Sequence, residues 1–137
     1  MATDVLSNNI LFVDIETVSV EENYDDLSPV IQRAWGRKAE FFREADTKSA
    51  AQLFSERAAL YAEFGKIVSI AIGYFHTLAD DCNELRIKCI TYPDEAAVLH
   101  EFTETVQRFD QNQLRLCAHN GRDFDYPYLC CPSRCNR

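Results

Sequence analysis

The sequence has no long apolar run. Its longest extends from Ile67 to Phe75 and is interrupted by Ser69. A membrane-crossing helix needs about 20 apolar residues, so none is expected. The start, Met1-Ala2-Thr3-Asp4, lacks the basic residues and apolar stretch of a signal peptide, and a cytoplasmic protein is expected. No repeat recurs at the periods of solenoids or propellers, and no linker is long or polar enough to divide the chain. The 137 residues are therefore expected to form a single domain, 1–137. Basic charge is scarce: 14 Lys plus Arg stand against 22 acids, a net of −8, which argues against non-specific nucleic-acid binding through a basic surface. Disorder is not expected either, because 47% of residues are hydrophobic.

The acids and bases are not evenly spread. Six acids and no base lie between Asp14 and Asp26, whereas Arg33 to Lys48 holds five bases and three acids. An acidic cluster beside a basic stretch suits metal-assisted chemistry on an anion, and equally describes solvated helix faces. The 6 cysteines are unevenly placed too. Cys82, Cys89 and Cys117 are isolated, while Cys130, Cys131 and Cys135 crowd the end. Without a signal peptide a disulfide framework is not expected, and three crowded cysteines without a partner pair make a poor zinc pattern.

Ile10 to Val13 reads as a short buried strand running into Asp14-Ile15-Glu16. Strand alternation puts Phe12, Asp14 and Glu16 on one face. Ser28-Pro29 opens a helix, with Pro29 at its first position. A second helix is expected after a polar break at Asp46 to Ser49, ending near Phe64 with Gly65 as its cap. Trp35 is expected in the core of this helical segment. Lys66 to Phe75 reads as a strand buried on both faces, and Leu85 to Cys89 as one exposed on a single face. Asp94 to Phe109 is a helix, with Leu99, Phe102, Val106 and Phe109 at core spacing. Leu114 to Ala118 is a strand, and Phe124 to Leu129 opens a helix, with Asp125 near its cap. The pattern is α/β, with a helical insertion between strands 1 and 2.

Two segments could carry chemistry. Asp14 and Glu16 are two acids on one strand face, which repel unless a cation joins them; Mg²⁺ and Mn²⁺ prefer such oxygen ligands. The plainer alternative is a strand that stops at Val13, leaving both acids in water. The second segment runs from His119 to Leu129, where Asn120-Gly121 offers a tight turn and Asp125 a helix start. Its plainer alternative is a turn and a helix cap.

Together the segments resemble a known family. Leu11-Phe12-Val13-Asp14-Ile15-Glu16-Thr17 resembles the first motif of the DEDDy-type (DnaQ-like) 3'-5' exonucleases. Asn120-Gly121 with Phe124-Asp125-Tyr126-Pro127-Tyr128-Leu129 resembles their second motif in its DNA polymerase B form. Tyr61 to Ser69 is similar to a bacterial branch in which the exonuclease domain stands without a polymerase. The resemblance implies a ribonuclease H-like mixed sheet with flanking helices. It implies two divalent ions, Mg²⁺ or Mn²⁺, held by Asp14, Glu16 and Asp125 together with a fourth acid. It also implies that Thr17, Asn120 and Phe124 contact the 3' end of a single-stranded nucleic acid, whose terminal phosphodiester is hydrolysed.

The third motif of that family, Tyr-x-x-x-Asp, has no counterpart: no Asp or Glu follows Asp125. The pattern stops at Leu129 and gives way to a tail with Pro132 and three cysteines. The expectation is a fold lacking its last strand and helix through a frame change or early end, with weak metal binding and impaired hydrolysis. The alternatives are a non-catalytic module that binds nucleic acid or protein, self-association through an exposed sheet edge, and another nuclease of the same fold. His76, His100 and His119 are read as structural or surface residues.

Overall fold

A computed structural model describes residues 9–79 and 82–130. The chain forms two compact units: residues up to Glu16 together with those from Ile67 onward, and the insertion Thr17–Lys66. No helix among the described residues is long and apolar enough to cross a membrane.

The first unit is built on a four-stranded mixed sheet. Its strands are β1 (Ile10–Ser19), β2 (Gly65–Thr77), β3 (Asn83–Thr91) and β4 (Arg115–Cys117), with order β3-β2-β1-β4. The ends of β1 and β2 run into the insertion. β1 and β4 are parallel, with Ile10 beside Arg115 and Phe12 beside Cys117. β2 and β3 are antiparallel, with Gly73 opposite Ile87. Helix α3 (Glu95–Gln107) connects β3 to β4 and packs against β3, burying Val98 and Phe102. Its Glu95 carboxylate accepts the Ile67 N–H at 2.7 Å, which ties the helix start to the start of β2.

The sheet has one closed and one open face. Leu11, Val13, Ile15, Ile70, Ile72 and Ile90 are all buried. The other face carries Phe12, Gly73, Phe75, Leu85 and Ile87. A Cβ on Gly73 would lie 3.7 Å from both Phe12 and Leu85, which places these residues on one side. Leu85 is 51% exposed and Ile87 73%. Strand β2 therefore differs from the expectation of burial on both faces. Its apolar run fills the closed face and lines a groove of about 690 Å³ on the other.

The insertion has its own aromatic core. It contains α1 (Pro29–Ala39), α2 (Ala50–Arg57) and 3-10 turns at Tyr24–Asp26 and Ala58–Leu60. Ser28 caps α1 and Pro29 opens it, as its sequence predicts. Ser49 and Gln52 form a reciprocal capping box at the start of α2. Trp35 is fully buried among Phe54, Phe64 and Ala58. Its indole meets Phe64 edge-on at 4.9 Å, and its Nε1–H donates to the Ala50 carbonyl at 2.9 Å.

Helix α2 stops at Arg57, not near Phe64, and Gly65 begins β2 rather than capping a helix. Past Arg57 the chain makes a 3-10 turn at Ala58–Leu60 and is tied to the first residues of the insertion. Thr17 Oγ1 donates to Ala59 O at 2.7 Å, and the Val20 N–H to Phe64 O at 2.8 Å. Both contacts lie where the chain leaves the helix and turns into β2. Replacing Trp35 with alanine should cost about 3–5 kcal/mol, enough to unfold the insertion, because it empties the centre of that core. Urea unfolding followed by far-UV circular dichroism measures it; a cost below about 1 kcal/mol would contradict this packing account.

Candidate active site

The site begins where a ladder ends. The Arg115 N–H donates to the Asn9 carbonyl at 2.8 Å, so Asn9 and every second residue after it turn their backbone polar groups towards β4. Ile15 is in that series. Strand β4 stops at Cys117, beside Phe12, too early to reach Ile15. A buried N–H without an acceptor is costly. The Asp125 carboxylate fills the gap: Oδ1 accepts the Ile15 N–H at 3.2 Å.

The loop after β4 delivers that carboxylate. Asn120 adopts φ 55°, a left-handed conformation that Asn tolerates better than most residues. Its carbonyl accepts the N–H groups of Asp123 and Phe124, at 3.0 and 3.1 Å. Helix α4 (Asp125–Leu129) follows immediately, with Asp125 in its first turn. Gly121 has a different task from the one its Asn-Gly context predicts. It has no positive φ. A side chain there would instead meet the Tyr126 ring at 2.7 Å and the Ala118 Cβ at 2.8 Å, so close packing requires glycine.

Asp125 is 1% exposed. Burial raises its pKa above the ordinary 3.8. The Ile15 and Asp125 N–H groups oppose that rise, the nearby Asp14 charge adds to it, and His119 opposes it. Asp14 is exposed on the open face of β1, and Asp125 is buried at the edge of that strand. Glu16 shares the exposed face with Asp14, as strand alternation predicts.

This donor set suits a hard cation only in part. Carboxylates, one of them desolvated, gain by sharing a divalent ion. Among the described residues, however, no three His, Cys, Asp or Glu side chains converge as a metal cage. Among the described residues, Asp14, Glu16 and Asp125 do not form such a group.

The other expected positions separate. Phe124 precedes α4, half-buried, with its ring 5.4 Å from that of Tyr128. Asn120 is exposed on the same loop. Thr17 belongs to the insertion, where its hydroxyl is engaged by Ala59. Within the insertion, two of the bases between Arg33 and Lys48 are used internally. Lys38 lies 4.0 Å from the Tyr61 ring centre, and Lys48 pairs with Glu56 at 2.5 Å. Cys82, Cys89, Cys117 and Cys130 are exposed. Cys131, Pro132 and Cys135, and the expectations attached to them, lie outside the described residues.

His119, read from the sequence as a structural or surface residue, is exposed. It lines the open groove together with Asp14 and acts on Asp125. No family model, curated protein or solved structure matches this chain.

A carboxyl whose folded pKa is raised stabilises the fold most when protonated. That contribution is complete below its unfolded pKa and is lost as pH rises through the folded value. Asp125→Asn keeps an acceptor for Ile15 and removes the ionisation. The stability of the parent chain minus that of Asp125→Asn should therefore fall as pH rises above 3.8 towards neutrality. Thermal melts of both proteins across that range check the sign, and a difference that grows with pH would contradict it.

Proposed function

We propose that the chain carries the site of a two-metal-dependent 3'-5' exonuclease of ribonuclease H-like fold, impaired in this form. It would act on terminal phosphodiesters of single-stranded DNA or RNA in the cytoplasm. One observation carries the reading. The acid of the second motif-like segment, Asp125, is held on the backbone of the first, at Ile15 between Asp14 and Glu16. Two short sequence resemblances, far apart in the chain, meet at one place. The interior position of β1 in the sheet is consistent with the fold implied by those motifs.

Asp14 and Asp125 would hold Mg²⁺ or Mn²⁺, with Glu16 the nearest further acid along β1. When bound, the ions would supply Lewis acidity and an activated water for attack on the phosphodiester. The chain's own contribution is orientation. The Ile15 N–H fixes one Asp125 oxygen, and burial keeps water from competing for that carboxylate. His119 lines the same groove as Asp14. Asn120 and Phe124 sit on the loop that would meet the terminal nucleotide, and Thr17 follows Glu16 along β1.

A second reading is favoured by the open apolar face, with Leu85 and Ile87 exposed beside Phe12 and Phe75. On that reading the domain binds nucleic acid or protein without catalysis, or associates with itself through an edge of the sheet.

Mn²⁺ should bind and raise the melting temperature. At tenfold excess over its dissociation constant the stabilisation should be about 1.4 kcal/mol. Asp14→Asn should weaken binding at least about tenfold, the size of one charged ligand contact. A 3'-labelled single strand should release nucleoside monophosphate slowly with Mn²⁺, and not at all after Asp14→Asn. Oligonucleotide binding that ignores EDTA, with no Mn²⁺ affinity, would replace this reading with the binding module. Fast digestion would remove the claim of impairment.

A further inference from the structure

Asp125 and Tyr126 are consecutive residues of α4, and each reaches a different strand. Asp125 takes the Ile15 N–H on β1 at 3.2 Å. The Tyr126 hydroxyl donates to the Leu116 carbonyl on β4 at 3.0 Å. That carbonyl is of a particular kind. The Arg115 N–H points to Asn9, so by strand alternation the polar groups of Leu116 point away from β1. Strand β4 is the last in the sheet. The tyrosine thus occupies an acceptor on the outer edge of the sheet formed by the described residues.

Two further contacts hold the same residue. The Tyr126 N–H donates to the Gly121 carbonyl at 2.8 Å. Its ring lies over Gly121 so closely that a Cβ there would be 2.7 Å from it. The hydroxyl, the N–H and the ring are all fixed. Helix α4 spans only Asp125–Leu129, too short to be stable by its own ladder. The Asp125 carboxylate works against burial and against the charge of Asp14. Something outside that ladder must hold it in place.

We propose that Tyr126 is a positioning residue: by clamping α4 to the outer edge of β4, it holds the Asp125 carboxylate on the Ile15 N–H. Its consequence for metal binding rests on the function proposed above, whereas the positioning itself does not.

Tyr126→Phe removes one oxygen and keeps the ring. Amide hydrogen exchange of the full chain reads the result at Ile15, with Val13 on the same strand as the internal reference. Exchange at Ile15 should quicken about three- to tenfold, the size of one net hydrogen bond, with Val13 unchanged. Mn²⁺ affinity should fall by a similar factor while far-UV circular dichroism stays the same. Gly121→Ala, which pushes on the ring, should produce the same change at Ile15. Unchanged exchange at Ile15 in both variants overturns the proposal. Equal quickening at Ile15 and Val13 also overturns it, because that marks general loosening. If the parent chain binds no Mn²⁺ and Ile15 still responds, the positioning stands and the metal reading falls.

Discussion

The candidate site depends on the hydrogen bond between the Ile15 N–H and Asp125 Oδ1. It joins residues 110 apart in the chain at a point where the sheet ladder has run out. A backbone donor facing an edge needs an acceptor, and β4 is too short to supply one. A strand longer by two residues would satisfy Ile15 with a neutral carbonyl. The early end of β4 therefore makes room for a carboxylate, and the turn at Asn120 brings it in. The motif-like order of residues in this segment thus has a mechanical counterpart. Three residues of strand, a left-handed asparagine and a close-packed glycine together bring an acid to a free N–H.

The arrangement has an energetic cost. A buried carboxyl beside another acid is less stable charged than an exposed one would be. Local stability would favour an amide at position 125, which could accept the same hydrogen bond without a charge. Perturbed carboxyls of this kind are common where chemistry is done. Structural ion-pair networks also perturb carboxyls, but among the described residues Asp125 takes part in no ion pair, and burial is the main cause of its shift.

Much of this was legible in the sequence. The alternation of β1 placed Phe12, Asp14 and Glu16 on one face. Ser28-Pro29 and the polar break before Ser49 located two helix starts through capping chemistry that acts within a few residues. Trp35 was identified as core because a large indole needs burial. The failures involve non-local contacts. The stretch after α2 is tied to Thr17 and Val20, some forty residues earlier in the chain. Gly121 carries a turn signal, yet its constraint comes from the Tyr126 ring. Asp125 was placed near a helix start, but its partner is a backbone group exposed by the length of a strand on which it does not lie. Local pattern identifies what a residue can donate or accept. Which group is left waiting is settled by where other elements stop.

Strand β3 carries its two chemistries on opposite sides. Arg86 and Lys88 engage Glu84 and Glu101, whereas Leu85 and Ile87 stand bare on the open face. Charges of this kind resist unwanted contact only where they lie, and dissolved ions screen them. Attraction between apolar faces is not screened. The colloidal behaviour of the protein is accordingly one-sided: added salt weakens the protected face and leaves the unprotected one as adhesive as before. Concentrated solutions are best kept at low ionic strength, away from the isoelectric point near 4.8.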